Sequence, residues 1–380
     1  MTELLPFVAD LPLVDHHCHG VVTHDLDRMG FERMLTEADT VSPLGTSLFD
    51  SLIGLAVRAR CAPVLDLPRH APADDYLARR AELGAAEVNR RFLRSTGITR
   101  FLLDGGFLPE PLTTTGEFAA LAGSPAEDIV RLEQVAEDVV RAGTGAEGFA
   151  AEFAGELAKR TANAVGVKSI AAYRVGLELS GERPSPGEVT AAAGRWLARV
   201  EAGEPVRLAD EVLHRFLIWS GIDAGLPVQF HVGYGDSDVD LHRCDPLLLT
   251  GLLRATRASG VPILLLHNYP FHRNAAYLAQ VFEHVFVDTG LITHNAGFRA
   301  PAVLAEVLEL VPFGKLLFST DAFGLAELYH LGAALFRQGL SDFLHGALAA
   351  AALSEVDAIR LAALAGHENA ARVYGLEGRG

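Results

Sequence analysis

Short apolar runs that end on a polar or ionisable residue constrain this chain more than any other feature of its sequence. Leu11–Asp15, Ile98–Asp104, Val165–Ala171, Pro227–His231, Pro262–His267, Val285–Asp288 and Leu316–Asp321 each give way to a polar or glycine-containing loop. Their lack of polar alternation is the pattern of parallel strands covered by helices on both faces. Asp128–Glu133 is read as the remaining strand. Helical spacing fills the intervals, as at Leu247, Leu248, Leu252 and Leu253 in Pro246–Ser259, and at Val303, Leu304, Val307 and Leu308 in Arg299–Val311. The tail from Leu340 to Tyr374 is read as two alanine-rich helices broken near Gly366. Eight strand–helix units predict an α/β fold, a (β/α)8 TIM-like barrel, with residues 1–380 as a single domain. Helical insertions are expected after strands 1 and 4, over about 21–97 and 178–225. The first contains one amphipathic helix over Ala71–Ser95, and the second contains two, Ser185–Ala202 and Leu208–Gly221.

Composition excludes several classes. Hydrophobic residues make up 49% of the chain, enough for a substantial core, and the formal net charge is -16. Without a basic patch interleaved with aromatics, nucleic acid is not an expected partner. No run of about 18 apolar residues suggests a membrane span. The three cysteines, Cys18, Cys61 and Cys244, stand far apart, which fits a reducing, cytoplasmic setting better than a disulfide scaffold. The GxSxG elbow, the P-loop and the GxGxxG fingerprint are all missing from the sequence.

The strand ends carry the chemistry. In Asp15-His16-His17-Cys18-His19, alternation places His17 and His19 on one face and sends His16 and the Cys18 thiol to the other. Asp15 shares the parity of His17 and His19, where it could hold an imidazole or orient the strand end. His231, His267 and Asp321 close three later runs. Barrel strands converge at their carboxyl ends, so these five residues are expected to share a divalent cation, Zn²⁺ by donor type, as one or two ions. Lys168 sits inside an apolar strand and has three readings: a carbamate bridging two metals, a cation holding an anion, or a buried stem with a solvated amine. Tyr173 and Arg174 are candidates for holding a substrate carboxylate. Asp236 and Asp238 could receive an amine, whereas His272, Arg273, His294 and Glu327 are weaker substrate-contact candidates. Asp236, Asp238 and Asp240 occur in a loop without the glycine and glutamate of a calcium site.

Val14-Asp-His-His-Cys-His-Gly20, His231, His267, Ser319-Thr-Asp321 and the closing Gly366–Gly375 segment together resemble the amidohydrolase superfamily. Lys168–Leu177 and Leu264–Arg273 resemble the branch that includes domains fused or related to glutamine synthetase in fungi and plants. The resemblance implies metal ligation by His17, His19 and His231. It implies a proton-exchanging ligand role for Asp321 and a ligand or substrate-polarising role for His267, with Lys168 matching the carbamate position of two-metal members. It also implies hydrolysis of a small polar amide, with a γ-glutamyl amide as the specific form and a carboxylate-bearing small molecule as partner. Decarboxylation, lactone hydrolysis, uronate-type isomerisation and a non-catalytic scaffold with a vestigial site are the alternatives. A homo-oligomer is compatible with a barrel carrying exposed helical additions.

Overall fold

The computed structural model describes residues 3–40, 42–106 and 111–377. Seven strands form one parallel sheet in sequence order. They are β1 (Leu13–Cys18), β2 (Ile98–Asp104), β3 (Ala126–Arg131), β4 (Gly166–Ser169), β5 (Val228–Val232), β6 (Ile263–His267) and β7 (Val285–Val287). The run at 128–133 is thus a strand, slightly earlier than expected. The run Leu316–Asp321 is not a regular strand: only Leu316 forms a bridge, to Val287. It nevertheless bonds to both sheet edges. Leu317 N donates to Val287 O (2.9 Å), His16 N to Phe318 O (3.1 Å), Asp321 N to His17 O (3.0 Å) and His19 N to Ala322 O (2.9 Å). The ladder fails there because the Asp15 carboxylate takes Thr320 N (2.9 Å) and the Thr320 hydroxyl (2.6 Å). Asp15 therefore orients the segment facing it and holds no imidazole.

Alternate strand residues feed two cores. Leu13, Ile263 and Leu265 pack outward beneath the helices. Val14, Leu102, Ile129, Leu264, Leu266 and Leu317 pack inside the curl of the sheet, where Ala370, Val373 and Tyr374 join them. The C-terminal helix Asn369–Tyr374 therefore closes one end of the interior. Above this closure, β1 breaks the simple alternation. Its register against β2 shifts between Asp15 and Cys18, as a bulge does. His16 therefore keeps the interior side of Val14, bonding to Tyr374 and Asp288, while the shift lets His17 face inward as well. The Cys18 thiol is fully buried, as expected.

Helix boundaries depart from expectation at two glycines. The single helix expected over Ala71–Ser95 is two, Ala73–Leu83 and Ala85–Arg94, parted by Gly84 at φ 76°. In the tail, Ala326–Ala349 is one long helix that ends before Glu355, and the expected break near Gly366 is a wider helical turn, Leu364–Glu368, between Glu355–Ala363 and Asn369–Tyr374. Gly366 serves close packing, since a Cβ there would come within 2.9 Å of Pro12 O. Within the two regions expected to be inserted lie Pro186–Glu201 and Glu211–Asp223, which match their predicted helices closely, and the Ala73–Leu83 helix. None of the described helices is long and apolar enough to cross a membrane.

The Ala73–Leu83 helix is tied to the body by a buried ion pair. Glu327, on the long helix, accepts from Arg80 Nε (2.6 Å) and the Tyr76 hydroxyl (2.9 Å), with Glu327 0% and Arg80 5% exposed. Removing one partner strands the other charge without water. Glu327→Gln is expected to weaken the pairing, and Arg80→Ala to cost about 3–5 kcal/mol of stability, read from urea unfolding midpoints.

Candidate metal centre

The ends of β1, β5 and β6 and the 316–322 segment bring the five expected residues together. Donor atoms of His17, His19 and Asp321 all lie within 4.8 Å of one another. Asp321 Oδ1 is 3.0 Å from His17 Nε2 and 3.5 Å from His19 Nε2, while Oδ2 is 3.3 Å from His267 Nδ1. Donors on a tetrahedral Zn²⁺, each at about 2.0–2.1 Å, would stand roughly 3.3 Å apart. The His231 ring lies between Tyr173 (centroids 4.4 Å) and His267 (4.7 Å), tilted by 54° and 55° to them.

Two of these side chains occupy unusual backbone. His267 has φ 67° and Asp321 φ 51°, a region that side-chain-bearing residues rarely adopt. Such conformations persist where the surroundings over-determine them, and they cluster at functional sites.

Burial sets the charge states. Desolvation, reinforced by Lys168, lowers His17 to about 4 and His231 to about 3, and desolvation takes His267 well below its ordinary range. Neutral rings keep a lone pair for coordination. His231 Nε2 and both ring nitrogens of His267 are buried without a hydrogen-bond partner, as a site built to donate to a cation would leave them. Burial alone would raise Asp321, but His267 and hydrogen bonds from His17 and His19 hold it well below the carboxylate range. An ionised carboxylate among neutral imidazoles is a donor set suited to a divalent metal.

Lys168 lies at the cavity floor, 2% exposed, so the reading with a solvated amine is corrected. Its Nζ is 2.8 Å from His17 Nε2 and 3.8 Å from Asp104 Oδ2. Burial lowers the Lys168 pKa, opposed by Asp104. Asp104 and Arg131 were missed by sequence reasoning. Arg131 donates to Asp104 Oδ2 (2.6 Å), and the Asp104 carbonyl faces His19 Nδ1 (2.9 Å), which turns His19 Nε2 toward Asp321. A signal was present: Asp104 closes its apolar run as Asp321 closes another.

A cavity of about 460 Å³ opens above these groups. Its described lining includes Tyr173, Arg174, Asp236, Asp238 and His294 from the expected set, and Glu37, Arg131 and Arg207, which carried no recognised signal. Desolvation, then Asp321 and Asp236, raises Glu37 to about 7. Arg174 Nε lacks a hydrogen-bond partner, and His294 is buried beside Asn295 and the Thr320 backbone. A turn precedes His294, with Leu291 at φ 59° and Ile292 N donating to Gly290 O (2.5 Å); i→i+2 turns of this sign are rare and strained. Three expectations are corrected. His272 pairs with Glu306 (2.6 Å) and Arg273 with Glu309 (3.0 Å) at a helix start outside the described lining. Glu327 is consumed by Arg80.

The amidohydrolase family model matches residues 128–376. The chain belongs to the amidohydrolase family. The superfamily resemblance read from the sequence is borne out. Protein fluG of Emericella nidulans is 26% identical over 382 residues, covering 90% of this chain but 43% of the fungal protein. The chain thus spans less than half of that curated relative. A Lactobacillus casei structure, provisionally described as a metal-dependent hydrolase, shares 30% identity at TM-score 0.85, covering 98% of this chain and 97% of that one. Uronate isomerase from Thermotoga maritima matches at TM-score 0.64 and 13% identity, over 97% of this chain and 96% of the other. At that identity the likeness concerns the fold.

The depressed histidines link stability to pH. Their folded-state values lie below the ordinary value of 6.5, with His17 and His294 near 4. Between those limits the unfolded chain binds more protons, so stability is present above about 6.5 and is lost as pH falls toward about 4. Chelator-treated protein is expected to show falling urea midpoints across this window, and His294→Asn is expected to flatten part of the slope.

Proposed function

We propose that this chain is a metal-dependent amidohydrolase that cleaves the C–N bond of a small, carboxylate-bearing polar amide within a single (β/α)8 barrel domain. The observation that carries the reading is the convergence of His17, His19, His231, His267 and Asp321 beneath one cavity, with imidazole nitrogens buried and unpartnered. Those five residues would hold Zn²⁺, with Lys168 as a carbamate if a second ion binds. A bound Zn²⁺ supplies Lewis acidity and brings the pKa of its water from near 16 to about 7.

The residues then divide the remaining work. Asp321, kept ionised by its imidazole neighbours, accepts the proton of the attacking water and returns it to the leaving amine. His267 polarises the scissile carbonyl together with the Lys168 amine, where that amine is unmodified. Arg174, with a buried unpartnered Nε, and Tyr173 on the same wall receive the substrate carboxylate. Asp236 and Asp238, beside Tyr173 and with Asp238 paired to Arg207, take an amine of the substrate, and His294 donates a hydrogen bond into the cavity. The γ-glutamyl amide form follows from the family resemblance and has both groups. The free buried cysteines accord with a reducing, cytoplasmic setting, and a homo-oligomer belongs to the same proposal.

Metal analysis of protein purified without chelator, with intact mass under carbon dioxide, tests the centre. About one or two equivalents of divalent metal are expected, the second accompanied by a carbamate mass on Lys168. In a panel of amides, lactones, uronates and aromatic carboxylic acids, amide hydrolysis is expected, and Asp321→Asn should lower kcat by about 10²–10⁴-fold. Turnover of uronates or lactones alone would replace the amidohydrolase reading.

A further inference from the structure

Below the proposed centre lies a polar network that the chemistry above does not use. Asp288, just past β7 and 0% exposed, has every carboxylate direction filled. Oδ1 accepts the peptide N–H of His267 (2.7 Å) and of Gly290 (3.1 Å). Oδ2 accepts the Ser319 hydroxyl (2.8 Å) and faces His16 Nε2 (2.8 Å). His16 Nδ1 in turn meets the Tyr374 hydroxyl (3.0 Å), which accepts from Gln229 Nε2 (2.8 Å). Asn268 donates to the Asp288 carbonyl (3.1 Å) and to Leu265 O (2.6 Å).

These bonds converge on the backbone that is least able to hold itself. His267 and Asn268 are consecutive non-glycine residues at φ 67° and 64°, and Asp321, two residues beyond Ser319, is at φ 51°. Left to its preferences, each would leave the left-handed region. One carboxylate clamps the His267 peptide on one side and the approach to Asp321 on the other. His16 and the C-terminal Tyr374 fix that carboxylate from below.

We propose that Asp288 is a positioning residue for the metal centre, setting the mutual orientation of His267 and Asp321 through their backbones, with His16 and Tyr374 holding it in place. The proposal rests on the metal-site reading above. Replacing one acceptor oxygen by an amide either sets a donor against two peptide N–H groups and releases the His267 peptide, or turns the NH2 toward Ser319 and His16, which must then accept instead of donate, and so loosens the hold on the approach to Asp321.

The test is Co²⁺ titration of chelator-treated protein, reading affinity and the visible ligand-field band, with urea midpoints of the same metal-free samples. Asp288→Asn is expected to weaken Co²⁺ binding by about 10–100-fold and to move the band. Ser319→Ala removes a single hydroxyl and should move both in the same direction by less; it also serves if Asp288→Asn does not fold. Leu253→Ala, on the helix Thr250–Thr256 and fully buried, should lower the urea midpoint and leave the band unchanged. Wild-type binding with an unaltered band and affinity in Asp288→Asn, or in Ser319→Ala if only that variant folds, would overturn the positioning role and leave the metal centre standing. Wild-type protein that binds no Co²⁺ would overturn both.

Discussion

The site depends on one electrostatic constraint, a largely buried carboxylate that must remain ionised. Desolvation of that kind costs several kcal/mol unless donors are fixed around the charge. At Asp321 they come from His17 at 3.0 Å and His19 at 3.5 Å, with the His267 ring 3.3 Å away on the other oxygen. The same dry surroundings keep the imidazoles neutral, with His17 and His231 far below their ordinary value. Acid and rings thus occupy opposite charge states because burial acts on each in its own direction. A cation placed among them meets one negative charge and several open lone pairs.

Around this arrangement the charges alternate in depth. Lys168 lies against His17, Asp104 stands beyond Lys168, and Arg131 closes the far side of Asp104. Burial would raise Asp104, yet Arg131 and then Lys168 hold it well below the carboxylate range. The cation at β4 is therefore compensated by Asp104, whose other partner, Arg131, itself lines the cavity. Its amine still faces the imidazole, where it can meet an anion. Glu37 is compensated by nothing comparable, which is why burial and the neighbouring acids lift it to about 7.

The five converging residues were legible because parallel strands end at one face, and an ionisable residue at the end of an apolar run has few other reasons to be there. The same logic reached His294, whose position follows the β7 run, and should have reached Asp104. It failed for His272 and Arg273, since a residue shortly after a strand end can equally begin a helix and pair along its outer face. Glu327 was misplaced for a different reason. Proximity in sequence to Asp321 says nothing about which face of the long helix it occupies, and its partner Arg80 lies 247 residues away. His16 was misread because alternation assumes unbroken register, whereas the pairing of β1 shifts between Asp15 and Cys18. Glu37 and Arg207 reach the cavity from segments with no periodic signal.

The irregular segment 316–322 shows how such a site can be afforded within a sheet. A regular eighth strand would satisfy its peptide groups in the ladder and send alternate side chains in and out. Here Thr320 N–H goes to the Asp15 side chain, Ser319 Oγ goes to Asp288, and Asp321 bends into the left-handed region. Ladder bonds have been exchanged for side-chain bonds, so the backbone stays satisfied. Asp15, pushed up to about 8 by burial and opposed by its bonds to Thr320, is held by those bonds in the same exchange. Regularity is given up at the one position where the imidazoles of His17 and His19, at the end of β1, and His267 of β6 must meet a carboxylate. An extended Asp321 would follow the strand's alternation and could not accept from both sides at once.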